Sequence, residues 1–202
     1  MKLKNSLTTV LIVLIVGCYI IANYAPNITW GGLDLQDQLL LIKKAIFPDN
    51  QVHGVYAGEW WRIFTVAFTH ASWLHLGSNM LAFFQLGNIV ERYYGRARYA
   101  FLLLASLVIS SFAALMLIPA NEPCVGASGM IFGLFGVMLV SGKRMGVDYR
   151  QVLGLIVLNL VISFTVPNIA WQAHVGGLVG GYLAAQLINL FNKPRSQGVS
   201  LW

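Results

Sequence analysis

Six stretches of this chain are apolar for long enough to cross, or nearly cross, a hydrocarbon core of about 30 Å, which takes about 17–25 helical residues. They fall at roughly 7–25, 74–91, 98–119, 126–142, 150–167 and 171–191. In lipid every backbone N–H and C=O must find a partner inside the protein, so runs of this length are helices. The expected fold is all-α: a polytopic membrane protein with six transmembrane helices in a single domain over 1–202. Composition agrees, because 57% of residues are hydrophobic and 10% charged, against about 25% charged in a soluble domain. The first run follows Lys2 and Lys4, as a signal peptide's would. It is long, however, and no small-x-small cleavage site follows it, so it reads as a span.

Charge sets the orientation. The 13 Lys and Arg exceed the 7 Asp and Glu, giving +6. These basic residues sit between apolar runs, which points to a lipid surface and not to nucleic acid. With the N-terminus inside, the inner segments hold ten of them: Lys2, Lys4, Arg92, Arg96, Arg98, Lys143, Arg144, Arg150, Lys193 and Arg195. The outer segments hold three, Lys43, Lys44 and Arg62. Positive loops stay in the cytoplasm. A multi-pass protein of the cell (plasma or inner) membrane with both termini cytoplasmic is expected.

The connection over 26–73 is then a long extracytoplasmic loop. Its segment LQDQLLLIKKAIF reads as a short amphipathic helix resting at the interface. Trp60 and Trp61 suit the headgroup boundary, and Arg62 could meet a phosphate or close the loop on itself. His53 and His70 read as structural. Residues 192–202 read as a cytoplasmic tail. Cys18 and Cys124 support no disulfide framework and read as small apolar fillers.

No Asp or Glu falls in the middle of a predicted span, which argues against a proton-coupled pump. A transporter or channel would also call for midplane polar groups or repeated halves. The intramembrane polar residues worth weighing are His75, Asn79, Ser128 and His174. They open spans two, four and six, which all run from outside to inside, so all four residues lie near the outer face. At 1.5 Å per residue, Ser128 is about 22 Å from Lys143, His75 about 25 Å from Arg92, and His174 about 28 Å from Lys193. The four are therefore at similar depth. Small residues suggest which helices touch. Ala173, Gly177, Gly181 and Ala185 recur every four residues in span six, beside Gly176, Gly180 and Ala184, and Gly129, Gly133 and Gly136 share a face of span four. Such stripes let backbones approach closely, and both begin beside a candidate residue.

A serine hydroxyl becomes a nucleophile when a base takes its proton, and histidine is the usual base near neutral pH. Ser128 and His174 would form a dyad, since no carboxylate is at hand. Backbone N–H groups at the start of span four, favoured by the helix dipole, could hold an oxyanion. His75 and Asn79, at i and i+4, share a helix face and could donate to it as well.

The chain resembles the rhomboid family of intramembrane serine proteases. The resemblance rests on Gly126-Ala127-Ser128-Gly129, Ala173-His174-Val175-Gly176-Gly177 and His75-Leu76-Gly77-Ser78-Asn79, with Trp61-Arg62 and Glu91-Arg92-Tyr93-Tyr94-Gly95 in family order, from about Glu59 to Asn189. It implies a six-helix rhomboid-like bundle, with Ser128 as nucleophile and His174 as base. It implies an oxyanion hole of His75, Asn79 and the Ser128 N–H, with Gly126, Gly129, Phe132, Gly177 and Gly181 in support. The expected partners are transmembrane protein substrates and the lipid bilayer, cut in or near a membrane segment with water reaching the site from the extracytoplasmic side, and no metal or cofactor. The alternative is an inactive rhomboid-like protein that binds membrane clients; its relatives lack the serine or the histidine, and both are present. One departure is Phe132, where many members carry a tyrosine whose ring packs on the histidine.

Overall fold

The structure is a computed structural model that describes residues 6–25, 29–30 and 33–191. The expected tail at 192–202, and the charges at Lys2, Lys4, Lys193 and Arg195, lie outside the described residues. The chain is mostly helical, with eight α-helices among those residues: α1 (Leu7–Tyr24), α2 (Leu35–Leu39), α3 (Arg62–Thr65), α4 (Trp73–Tyr94), α5 (Arg96–Leu117), α6 (Ser128–Ser141), α7 (Tyr149–Thr165) and α8 (Trp171–Phe191). One of the six longer helices falls on each of the six apolar runs, with ends that differ by up to three residues. By length and apolarity alone, α1 and α5 are able to cross a membrane; α7 is apolar but shorter.

Local chemistry sets the helix ends. Ser72 caps α4 by accepting from the His75 N–H at 3.1 Å, satisfying one of the orphan donors of the first turn. Gly95 ends α4 at φ +75°, and α5 starts at the next residue. A left-handed conformation there favours glycine, so the reversal needs no longer loop. Pro119 follows α5 by two residues and cannot continue it.

The centre of the bundle is α6, only 14 residues long and buried nearly all round, as an apolar helix with no polar face should be. Helix α8 meets α6 on one side and α5 on the other. A Cβ at Gly177 would fall on the Gly129 carbonyl, and one at Gly181 on the Gly133 carbonyl. Gly176 and Gly180 instead face α5, where a Cβ would lie 3.0 Å from the Ile109 carbonyl oxygen and from Ile109 Cβ respectively. The two small-residue stripes of α8 thus serve two different neighbours.

Helix α1 packs on α4, pinned at one end by Glu91. That buried carboxylate accepts from the Leu7 N–H (2.7 Å), the Thr8 N–H (2.9 Å), the Thr8 hydroxyl (2.7 Å) and the Ser6 hydroxyl (3.0 Å). An anion at a helix N-terminus also meets the positive end of the dipole. Replacing Glu91 by Gln leaves the shape but turns at least one of these donors toward an amide nitrogen that also donates. Thermal or denaturant unfolding should show a loss of about 2–3 kcal/mol; an unchanged midpoint would mean that α1 is held by packing alone.

The first loop corrects the sequence reading. The helix expected through LQDQLLLIKKAIF stops at Leu39. Leu39, Leu40, Leu41 and Ile42 are all buried, and four successive buried residues cannot share one helical stripe. The chain turns extended instead, and Leu41 exchanges both backbone bonds with Cys124 (3.0 and 2.7 Å). Two small hairpins flank this stretch: β1 (Thr29–Trp30) with β2 (Leu33–Asp34), and β3 (Ala45–Ile46) with β4 (Val52–His53). Arg62 is buried and closes the loop on itself. Its Nη1 donates to the Asp37 and Leu40 carbonyls (2.6 and 2.8 Å) and its Nε to Glu59 (2.7 Å). His53 lies between Glu59 (2.7 Å) and Asp49 (2.9 Å). The bond to Glu59, foremost, raises the imidazole pKa above its ordinary value, against the effect of burial. The loop is a built scaffold, and its edge holds the approach to α6.

Candidate active site

The nucleophile candidate is placed by the segment just before it. Cys124 is paired to Leu41, and the Gly126 N–H donates to the Val66 carbonyl at 3.1 Å. Gly126 adopts φ +117°, a region that side-chain-bearing residues rarely occupy. The turn delivers Ser128 as the first residue of α6, half-buried, where helix N–H groups have no intrahelical partner. His70, fully buried behind this turn, stands 3.5 Å from the Ala127 N–H through Nε2. Burial, with the neighbouring His75 next, pushes its imidazole down to about 3, so it is a neutral acceptor and part of the scaffold.

His174 lies in the first turn of α8, 9% exposed. Its Nε2 is 2.8 Å from Ser128 Oγ. Phe132, one turn below Ser128 on α6, stacks flat on the imidazole at 4.2 Å between centroids and 10° between planes. The remaining nitrogen, Nδ1, is 2.7 Å from Ser163 Oγ on α7. The ring is therefore held at both nitrogens and on one face. The helix register that allows this is set by the Gly177–Gly129 and Gly181–Gly133 approaches. Ser110 of α5 adds a bond to the Ala173 carbonyl at 2.8 Å, next to the histidine.

His75 and Asn79 converge on the same turn from α4. His75 Nε2 is 3.0 Å and Asn79 Nδ2 3.7 Å from the point where a Gly126 Cβ would sit. The Ala71 N–H reaches His75 Nδ1 at 3.4 Å, which leaves Nε2 as the protonated nitrogen facing the site. Asn79 Nδ2 is buried without a protein hydrogen-bond partner. A buried orphan donor is costly unless something else occupies it, and here it faces the turn that carries Ser128. A side chain at position 126 would crowd His75 and fill this recess.

The structure thus gathers Ser128, His174, His75, Asn79, Gly126, Gly129, Phe132 and Gly177 toward one end of the bundle, with Gly181 further down at the middle of α8 against Gly133. Two residues were missed. Ser163 and Ser110 carry no motif; a membrane-helix serine usually bonds its own backbone, and spacing does not reveal a second partner. Among the described residues no three His, Cys, Asp or Glu side chains are grouped as metal ligands.

Phe132 supplies the face but not the hydroxyl of a tyrosine. Phe132→Tyr should keep the stack and alter the rate at which a serine-directed fluorophosphonate labels Ser128 by less than about tenfold. A larger gain would mean that the phenylalanine leaves the imidazole poorly ordered.

The fold and site together define a helical bundle that seats a serine–histidine pair beside a turn faced by two further side-chain nitrogens, His75 Nε2 and Asn79 Nδ2. Its family follows from comparison with known proteins. Residues 57–190 match the Rhomboid domain. The rhomboid protease GluP of Bacillus subtilis (strain 168) is 38% identical over 138 residues, covering 66% of this chain and 27% of that protein. YdcA of the same organism is 35% identical over 139 residues, covering 66% of this chain and 70% of its own. Rhomboid-like protease 1 of Toxoplasma gondii is 29% identical over 159 residues, 73% of this chain and 54% of that protein. The chain belongs to the rhomboid family, whose members are integral membrane proteins and include intramembrane proteases.

Proposed function

We propose that this chain is an intramembrane serine protease that hydrolyses peptide bonds in or near transmembrane segments of other membrane proteins. The observation that carries the reading is the 2.8 Å contact between Ser128 Oγ and His174 Nε2, made where the imidazole is buried and stacked. Six spans are proposed, α1 and α4 to α8, with both termini cytoplasmic and the site near the extracytoplasmic side of the cell membrane. Apolar exposure supports a lipid environment: Leu153, Val157, Leu158, Val161 and Phe164 on α7 all face outward. A patch of that size would be a liability in water.

The chemistry then follows. Ser128 Oγ attacks the scissile carbonyl carbon as His174 Nε2 takes its proton. The carbonyl π pair moves to oxygen, and the oxyanion is met by the Ser128 N–H, His75 Nε2–H and Asn79 Nδ2–H. Collapse breaks the C–N bond, and the departing amine takes the proton from Nε2. Water, deprotonated in turn by Nε2, attacks the acyl carbon; collapse breaks the C–O bond to Ser128, whose Oγ takes that proton back from Nε2. The test is reconstitution in vesicles with a fluorescent transmembrane peptide. Cleavage by wild type and none by Ser128→Ala is expected. Equal cleavage by the two would sink the assignment, and so would an intact substrate with folded wild type.

A further inference from the structure

The chemistry above needs His174 Nε2 bare of hydrogen, because a nitrogen that already carries a proton cannot accept one from Ser128. A neutral imidazole has one N–H, shared between two possible positions. Something must place it on Nδ1.

Ser163 can do this by the arithmetic of its own hydroxyl. It has one proton to donate. Ser163 Oγ lies 2.6 Å from the carbonyl oxygen of Asn159, one turn earlier on α7, and a carbonyl can only accept. The proton is committed there. Toward His174 Nδ1, at 2.7 Å, the same oxygen can then only accept. Nδ1 must therefore carry the N–H, and Nε2 presents its lone pair to the Ser128 hydroxyl at 2.8 Å. The hydrogen bonds run one way, from Ser128 to His174 to Ser163 to the Asn159 carbonyl. The reverse order takes the hydroxyl away from that carbonyl, which then keeps only its α7 backbone N–H, and puts an N–H against Ser128. Ser163 is 4% exposed, so bulk water does not compete for Nδ1.

We propose that Ser163 is a positioning residue, which sets the tautomer of His174 from a separate helix and keeps its accepting bond when the imidazole becomes charged. The inference rests on the reading of Ser128 and His174 as nucleophile and base. It also ties the base to the seating of α7. That helix buries only Val152, Ile156 and Ser163, so among the described residues its one buried side-chain contact with another helix through a polar group is the one to His174.

The experiment compares Ser163→Thr with Ser163→Val, which have nearly the same shape and differ in the hydroxyl. Threonine in a helix can still bond the carbonyl one turn back, so Ser163→Thr should keep most of the wild-type kcat. Ser163→Val should lose about 10- to 100-fold in kcat with KM little changed, as loss of an orienting partner does. In protein labelled with 15N at histidine, the His174 signals (assigned by their loss in His174→Ala) should show Nδ1 protonated in wild type and Ser163→Thr. They should show a mixture in Ser163→Val. Equal kcat for the two variants, or an unchanged tautomer in Ser163→Val, overturns the proposal. If Ser163→Val does not fold, Nε2 protonated in wild type or Ser163→Thr overturns it instead. Ser128→Ala separates the two failures: activity there refutes the protease reading, whereas an inactive Ser128→Ala beside an active Ser163→Val refutes only the role of Ser163.

Discussion

Ser128→Ala and His174→Ala should each slow cleavage of a transmembrane peptide by about 10⁴-fold or more, and the double variant should be no slower than either single one. The reason is that, on the proposed function, the two side chains act in one step. Without His174, nothing takes the Ser128 proton as the oxygen attacks; without Ser128, the base has no nucleophile to activate. Once either is gone the other contributes nothing, so the effects cannot add. What remains in each case is positioning and the donors at the oxyanion recess, which the substitutions leave in place. The measurement is initial rates in vesicles, with folding checked by thermal unfolding. Additive losses would mean that the two residues serve separate steps. A full rate in His174→Ala would mean that another group is the base.

Gly181→Ala should destabilise the bundle by about 3 kcal/mol or more, with cleavage falling alongside. The added methyl would land on the Gly133 carbonyl, and its distance to Gly133 Cα would be 2.6 Å. Backbone atoms cannot rotate away as a side chain can, so α6 and α8 must separate. That separation acts on Ser128 and His174 directly, since each sits at the start of one of these helices. Gly154→Ala on α7 is the control. A Cβ there meets nothing within 4 Å, and alanine is the better helix former by up to about 1 kcal/mol. Stability and cleavage should hold or rise slightly. Equal behaviour of the two variants would show that close backbone approach is not what holds the site together.

The contrast between these two glycines measures what could be read in advance. Both stand in apolar helical runs, and recurrence every four residues marks Gly181 as an interface residue while Gly154 has no such company. That pattern made the α6–α8 contact legible. It did not say that Gly176 and Gly180, one residue away, pack on α5. The resemblance to the rhomboid family implied a ring at Phe132 near the histidine, but the flat 10° stack needed both helices in position.

The first loop shows the limit from the other side. Its Leu and Ile run looked like the apolar face of an interfacial helix, and Leu39 to Ile42 are instead buried in succession. Tertiary pairing of Leu41 with Cys124 overrode local propensity, because an extended segment there satisfies the turn that carries Gly126. Arg62 was left between a phosphate and self-closure, and the structure has it closing the loop on carbonyls at Asp37 and Leu40.

The sequence by itself determined that the chain is a bundle of long apolar helices with Ser128, His174, His75 and Asn79 near one end. Helical period, residue spacing and apolar length are properties of a single strand of chain, so they can be read from it. Only the tertiary structure decided that His174 is held at Nδ1 by Ser163 and that Asn79 Nδ2 has no protein partner beside Gly126. Those facts depend on the rotation and depth of helices α4, α6, α7 and α8 relative to one another. Relative placement is set by close packing between elements far apart in the chain, and no local pattern records it.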